Sequence, residues 1–205
     1  MFPAFLIAFR EALEASLIVG IVLSYLQRTK QTAYNSVVYI GVAAGIVASL
    51  IGAWLFQEFL GGFTGRTEEI FEGITMLIGA GLLTSMILWM MRQRHVAKKL
   101  EEKVKAKVEG AQKAELFLLV FFAILREGIE TVIFMSAAVT LSETNVFVGA
   151  LLGLTTAVLL GYGIFVESMK INLKKFFTAT SVLLILFAAG LVAHGVHEFQ
   201  EAGII

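Results

Sequence analysis

Six stretches of this chain are apolar on every side rather than along one stripe, near residues 3–26, 36–57, 70–91, 115–140, 146–167 and 176–197. Crossing about 30 Å of hydrocarbon takes about 20 helical residues, so the pattern predicts six transmembrane helices in an all-α integral membrane protein. The charged residues fall between these stretches or at their ends, with two exceptions. "IAFREALEASLIV" places Arg10, Glu11 and Glu14 inside the first span, and "AILREGIETVIF" places Arg126, Glu127 and Glu130 inside the fourth.

Composition agrees with a bilayer as solvent: 58% of the 205 residues are hydrophobic, 16% are charged, and the mean hydropathy is +0.86. The first span begins almost at Met1, lacks a basic leader and carries charges at its centre, which fits a retained helix rather than a cleaved signal. There is no cysteine, so disulfides, thiolate metal sites and thiol redox chemistry are excluded, and any metal must be held by oxygen or nitrogen.

The net charge is zero, but its distribution orients the chain. Apart from Arg10 and Arg126, thirteen Lys and Arg fall after the first, third and fifth spans, eight of them between Arg92 and Lys113, and only Arg66 falls on the other side. The positive-inside rule then puts the N-terminus outside and the 92–114 segment in the cytoplasm. That segment, "RQRHVAKKLEEKVKAKVEGAQK", reads as a solvated basic loop, helical in part, near anionic lipid. The outer loops carry Glu58, Glu68, Glu69, Glu143, Glu198 and Glu201, an acidic face.

The chain also repeats itself. The two Arg-Glu-x-x-Glu motifs lie 116 residues apart; "GVAAGIVASLIG" and "GALLGLTTAVLLG" align through Gly41/Gly149 and Gly45/Gly153 at 108; Gly81 and Gly190 align at 109. One difference in loop length accounts for all three offsets. The expectation is two three-helix units, 1–91 and 115–205, joined by the 92–114 loop, with the second unit inverted because three is odd. The small-xxx-small pairs read as helix-packing sites.

A charge at mid-bilayer costs about 2.5–3.5 kcal/mol on insertion scales, so three per helix facing lipid would cost about 10 kcal/mol. They must face inward. At about 100° per residue the three charges of a motif share an arc of about 100°, so each motif aims two carboxylates and one guanidinium at one partner. If the two motif helices pack together, four carboxylates and two guanidiniums converge with a formal charge of −2. That is a cation site: Glu11, Glu14, Glu127 and Glu130 as hard oxygen ligands, with Arg10 and Arg126 balancing their charge and yielding when metal arrives. The competing structural reading is a set of intramembrane salt bridges that fix helix register, but buried pairs stabilise weakly.

A second cluster lies at the outer end of the last span, where "AAGLVAHGVHEFQEAG" places His194, His197, Glu198 and Glu201 within about 100° of one face. With Glu68, Glu69 and Glu72 at the outer start of the third span it forms a candidate outer capture site, or else a polar membrane–water interface.

On these residues the chain resembles the high-affinity ferric iron permease family, the oxidase-dependent iron transporters, whose signature is Arg-Glu-x-x-Glu in the first and fourth helices. The resemblance extends through "FEGITMLIGAGLLTSMILWM" to the His-Glu-rich end of the last span. It implies uptake of Fe(III) across the plasma membrane with Glu11, Glu14, Glu127 and Glu130 as ligands, no resident cofactor, no enzymatic activity, and a ferroxidase or extracytoplasmic iron-binding protein as partner. The chain departs from the family pattern in two ways. Family members usually have a seventh helix, where this chain ends at Ile205, and the first motif has Ala12 where the second has Gly128.

Carboxylates discriminate poorly among cations, so transport of lead or another divalent metal is the main alternative. A membrane di-iron oxidase would need Glu-x-x-His pairs on facing helices, and the chain has none. The expected mechanism is capture at the outer surface, transfer to the midplane glutamates, and inward release as one half rocks against the other.

Overall fold

The computed structural model describes residues 1–60, 65–92, 96–109, 112–141, 145–165 and 173–204. The helices are α1 (Phe2–Arg28), α2 (Asn35–Leu60), α3 (Arg66–Arg92), α4 (Val96–Glu109), α5 (Lys113–Leu141), α6 (Val146–Phe165) and α7 (Leu173–Glu201), and no strand occurs among the described residues. The six predicted spans correspond to α1, α2, α3, α5, α6 and α7. Over Thr32–Glu58, Arg66–Leu88, Val146–Phe165 and Thr178–Glu201 the chain is long and apolar enough to cross a membrane. Helices α1 and α5 are as long, 27 and 29 residues, and differ in carrying the motif charges. The protein is an all-α membrane protein.

Local chemistry sets the helix ends. Pro3 sits in the first turn of α1, where its missing N–H costs nothing. At the other end the Thr29 hydroxyl donates to the Tyr25 carbonyl and Lys30 turns to a φ of 58°. Gly65, at φ +61°, makes the turn into α3, and its carbonyl accepts from the Glu68 and Glu69 amides.

The packing is reciprocal. Helix α1 packs most extensively on α6, α2 on α5, and α3 on α7, while α1 and α5 meet at the centre. Glycines permit the close approaches. A side chain at Gly41 or Gly45 of α2 would press on the carbonyl oxygens of Phe117 and Phe121 in α5. At Gly149 or Gly153 of α6 it would press on those of Met1 and Phe5 in α1, 116 positions earlier. These are the glycines that the sequence aligned, and they act as helix-packing sites.

Two apolar clusters bracket the motif level. One joins Leu6 and Ile7 of α1 to Met76, Leu83, Met86 and Ile87 of α3, Phe134 of α5, and Leu184 and Leu191 of α7. The other joins Val22 and Leu26 of α1 to Val38 of α2, Val104 of α4, and Leu116, Val120 and Ile124 of α5. The outside of the bundle is apolar too: Ile46, Leu50 and Trp54 of α2 and Phe147, Leu151 and Leu159 of α6 are exposed, as a hydrocarbon solvent requires.

Within the 92–114 segment, expected to be a basic loop helical in part, Val96–Glu109 is helical and one side of the helix is buried. This helix, α4, packs on α1 and α5 with Val104 buried, and Lys107 pairs with Glu115 at the start of α5. The reason is periodicity: Leu100 and Val104 are one turn apart on a helix rich in Lys and Glu and present an apolar stripe.

Candidate metal centre

The α1–α5 contact carries both motifs. In α1 the Arg10 guanidinium is fully buried, at 0% exposure. Its Nη1 lies 2.9 Å from Glu11 Oε1 and its Nη2 lies 2.9 Å from Glu14 Oε1. One cation thus holds both carboxylates of its own motif, the Glu14 pair at the four-residue spacing that brings helix side chains together. Nη1 also lies 2.8 Å from the Met86 sulfur of α3.

In α5 the same five-residue pattern is arranged differently. Arg126 is 48% exposed; its Nε lies 2.7 Å from Glu130 Oε1 and 4.0 Å from Glu127 Oε1. Glu127 is buried with Glu11. Arg126 and Glu130 instead line an open cleft of about 300 Å³ with Leu82, Ser85 and Met86 of α3.

Of the four glutamates expected to converge, three do: Glu11, Glu14 and Glu127 each place an oxygen within 4.8 Å of the other two. This is the one such group of three or more metal-ligating side chains among the described residues. Glu130 is held aside by Arg126. No hydrogen-bond donor reaches Glu11 Oε2 or Glu127 Oε2, which are both buried. When ionised, carboxylates at this range repel by at least about 3 kcal/mol per pair at an effective dielectric near 20, and Arg10 offsets only part of this. A bound cation answers both the repulsion and the unfilled lone pairs, and an all-oxygen set suits a hard one.

The outer cluster is less converged. His197 Nε2 lies 3.2 Å from Glu201 Oε1, and the His194 and His197 rings meet edge to face at 6.5 Å. Glu72 lies within electrostatic reach of Glu198 and Glu68, so the start of α3 and the end of α7 form one acidic surface. Glu69 lies in the first turn of α3. Glu143 falls outside the described residues.

Two residues at the site carried no signal in the sequence. Met86 looks like any apolar residue of a span. Ser49 of α2 occupies the space that a side chain at Gly128 would fill, its hydroxyl donating to the Gly45 carbonyl. Only the Gly128/Ala12 difference between motifs pointed toward that contact.

A bundle of membrane helices enclosing a carboxylate cluster beside one buried guanidinium is the arrangement expected of a membrane protein that handles cations. The particular family follows from sequence comparison: the profile of the Iron permease FTR1 family matches residues 1–204. The chain is 38% identical over 215 residues to the ferrous iron permease EfeU of Yersinia pestis, covering 100% of this chain and 74% of that one. It is 39% identical over 210 residues to the ferrous iron permease EfeU of Escherichia coli O6:K15:H31, covering 100% and 75%. No solved structure matches. The chain belongs to the FTR1 iron permease family, a family that moves iron across a lipid bilayer.

Proposed function

We propose that this protein is an importer of iron in the plasma membrane, not an enzyme, and that Glu11, Glu14 and Glu127 form its central ion site with Glu130 as the neighbouring hand-over ligand. The observation that carries this reading is the convergence of three carboxylates from two helices in a water-poor interior. Arg10 and Arg126 balance the charge and are displaced as the ion enters.

The chain works as two inverted three-helix halves, 1–91 and 115–205, that rock about the α1–α5 contact. The reciprocal helix pairing and the glycine contacts 116 residues apart support this arrangement. The N-terminus lies outside, the 92–114 segment inside, and the acidic surface of Glu68, Glu69, Glu72, His194, His197, Glu198 and Glu201 receives iron from a ferroxidase or an extracytoplasmic iron-binding protein.

The hard oxygen donors favour Fe(III) as the cargo. The second reading is Fe(II), favoured by the names of the relatives and by the formal charge of −2, which a divalent ion neutralises. Radiolabelled iron uptake into proteoliposomes, supplied as ferric citrate or as ferrous iron under reductant, separates them. Ferric uptake that is abolished in Glu14→Gln/Glu127→Gln supports the first reading, and uptake under reductant alone selects the second. Uptake unchanged by the double substitution rejects the site.

A further inference from the structure

Glu11 and Glu127 are buried, whereas Glu130, one turn beyond Glu127 on α5, lines the open cleft. Two side chains touch both regions, Met86 and Arg126. Met86 lines the cleft, is itself buried, and sets its sulfur 2.8 Å from Nη1 of Arg10, the guanidinium that holds Glu11 and Glu14. Arg126 marks the other flank, 2.7 Å from Glu130 in the cleft and 4.0 Å from buried Glu127.

We propose that Met86 is the gate between the cleft and the buried carboxylates. Its thioether wedges against Arg10, and a change of its rotamer opens the way from Glu130 to Glu127, Glu11 and Glu14. The inference rests on the reading of those glutamates as the ion site. Methionine suits the task because it is unbranched, with three rotatable bonds and a polarizable sulfur that fits irregular gaps; a β-branched side chain would be stiff at its first torsion. The thioether is also a weak acceptor, so releasing Arg10 costs less than breaking a carboxylate pair. Gate and counter-charge therefore move together, because the same guanidinium contacts Met86 and the two α1 glutamates.

The test reads access apart from transport. The full chain in proteoliposomes is treated with a water-soluble carbodiimide and glycine methyl ester, and modification of each glutamate is followed by mass spectrometry. In the unaltered protein Glu130 reacts faster than Glu11 and Glu127. A closed element opens in a minor population, about 0.1–10%, so Met86→Ala is expected to raise Glu127 modification about tenfold or more, with Glu130 changed less than about twofold. Met86→Val carries the same expectation at smaller size should the alanine variant not fold, and Met86→Phe is expected to slow both Glu127 modification and iron uptake. Glu127 modification unchanged in the alanine and valine variants, or already as fast as that of Glu130 in the unaltered protein, overturns the gate. Iron protection of Glu127 in Met86→Ala reports the ion site separately: faster modification without protection by ferric or ferrous iron upholds the gate and removes the iron reading.

Discussion

The two Arg-Glu-x-x-Glu motifs are nearly identical in sequence and unlike in structure. Arg10 is sealed among α1, α3 and α5 and holds both of its glutamates, whereas Arg126 is half exposed, holds Glu130 closely, and stands back from Glu127. The neighbours make the difference. Each motif helix packs on a small-residue helix of the other half, α1 on α6 and α5 on α2, but the contact residues are exchanged. Ala12 packs with Phe9, Leu13 and Ala157, whereas Gly128 receives Ser49. A repeated motif thus supplies a repeated charge pattern, and its surroundings keep the first copy in the cluster while dividing the second, with Glu127 in the cluster and Arg126 and Glu130 in the cleft.

The largest expected effect is loss of a ligand. Glu127→Gln should reduce iron uptake by at least the roughly 10–100-fold that loss of an outer-shell partner costs at a metal site, with Glu130→Gln less severe. Equal losses in the two variants would break the distinction between cluster and cleft.

Next comes the arginine pair. Arg10→Met strands buried Glu11 and part-buried Glu14 and should destabilise the folded protein by about 3–5 kcal/mol, whereas Arg126→Met, at a half-exposed site, should cost about 1 kcal/mol or less. Thermal unfolding of both variants in detergent checks this, and equal shifts would mean that the exposure difference has no energetic meaning.

The packing exchange predicts a smaller effect. Gly128→Ala forces a methyl group against Ser49 and should cost about 1–3 kcal/mol, while Gly128→Ala with Ser49→Ala, which copies the Ala12/Ala157 pairing, should recover part of that loss. A double variant no more stable than the single would show that the two interfaces are not interchangeable.

The smallest expected effect lies outside the repeat. Breaking the partly exposed Lys107–Glu115 pair with Lys107→Met should change stability by about 0.2–1 kcal/mol, less at high salt.

Much of this was legible in the chain. The spans were readable because hydrocarbon demands about 20 apolar residues with every backbone group satisfied within the helix. The aligned glycines were legible as sites of close helix approach, since small residues are what such approaches need, but not which helices they would meet. The burial of Val104 was less visible, because scattered apolar residues on a highly charged helix resemble surface residues until something packs on them.

The sequence by itself determined the class, the six apolar helices, the motif spacing, and the family, because hydropathy and helical periodicity are local properties that each segment carries alone. Only the tertiary structure decided that Glu11, Glu14 and Glu127 converge while Glu130 turns to a cleft, that Arg10 is sealed and Arg126 is not, and that Met86 stands between them. Those outcomes depend on how closely and at what rotation α1, α3 and α5 meet, and that is set by side chains on three different helices at once, a sum that no single stretch of sequence contains.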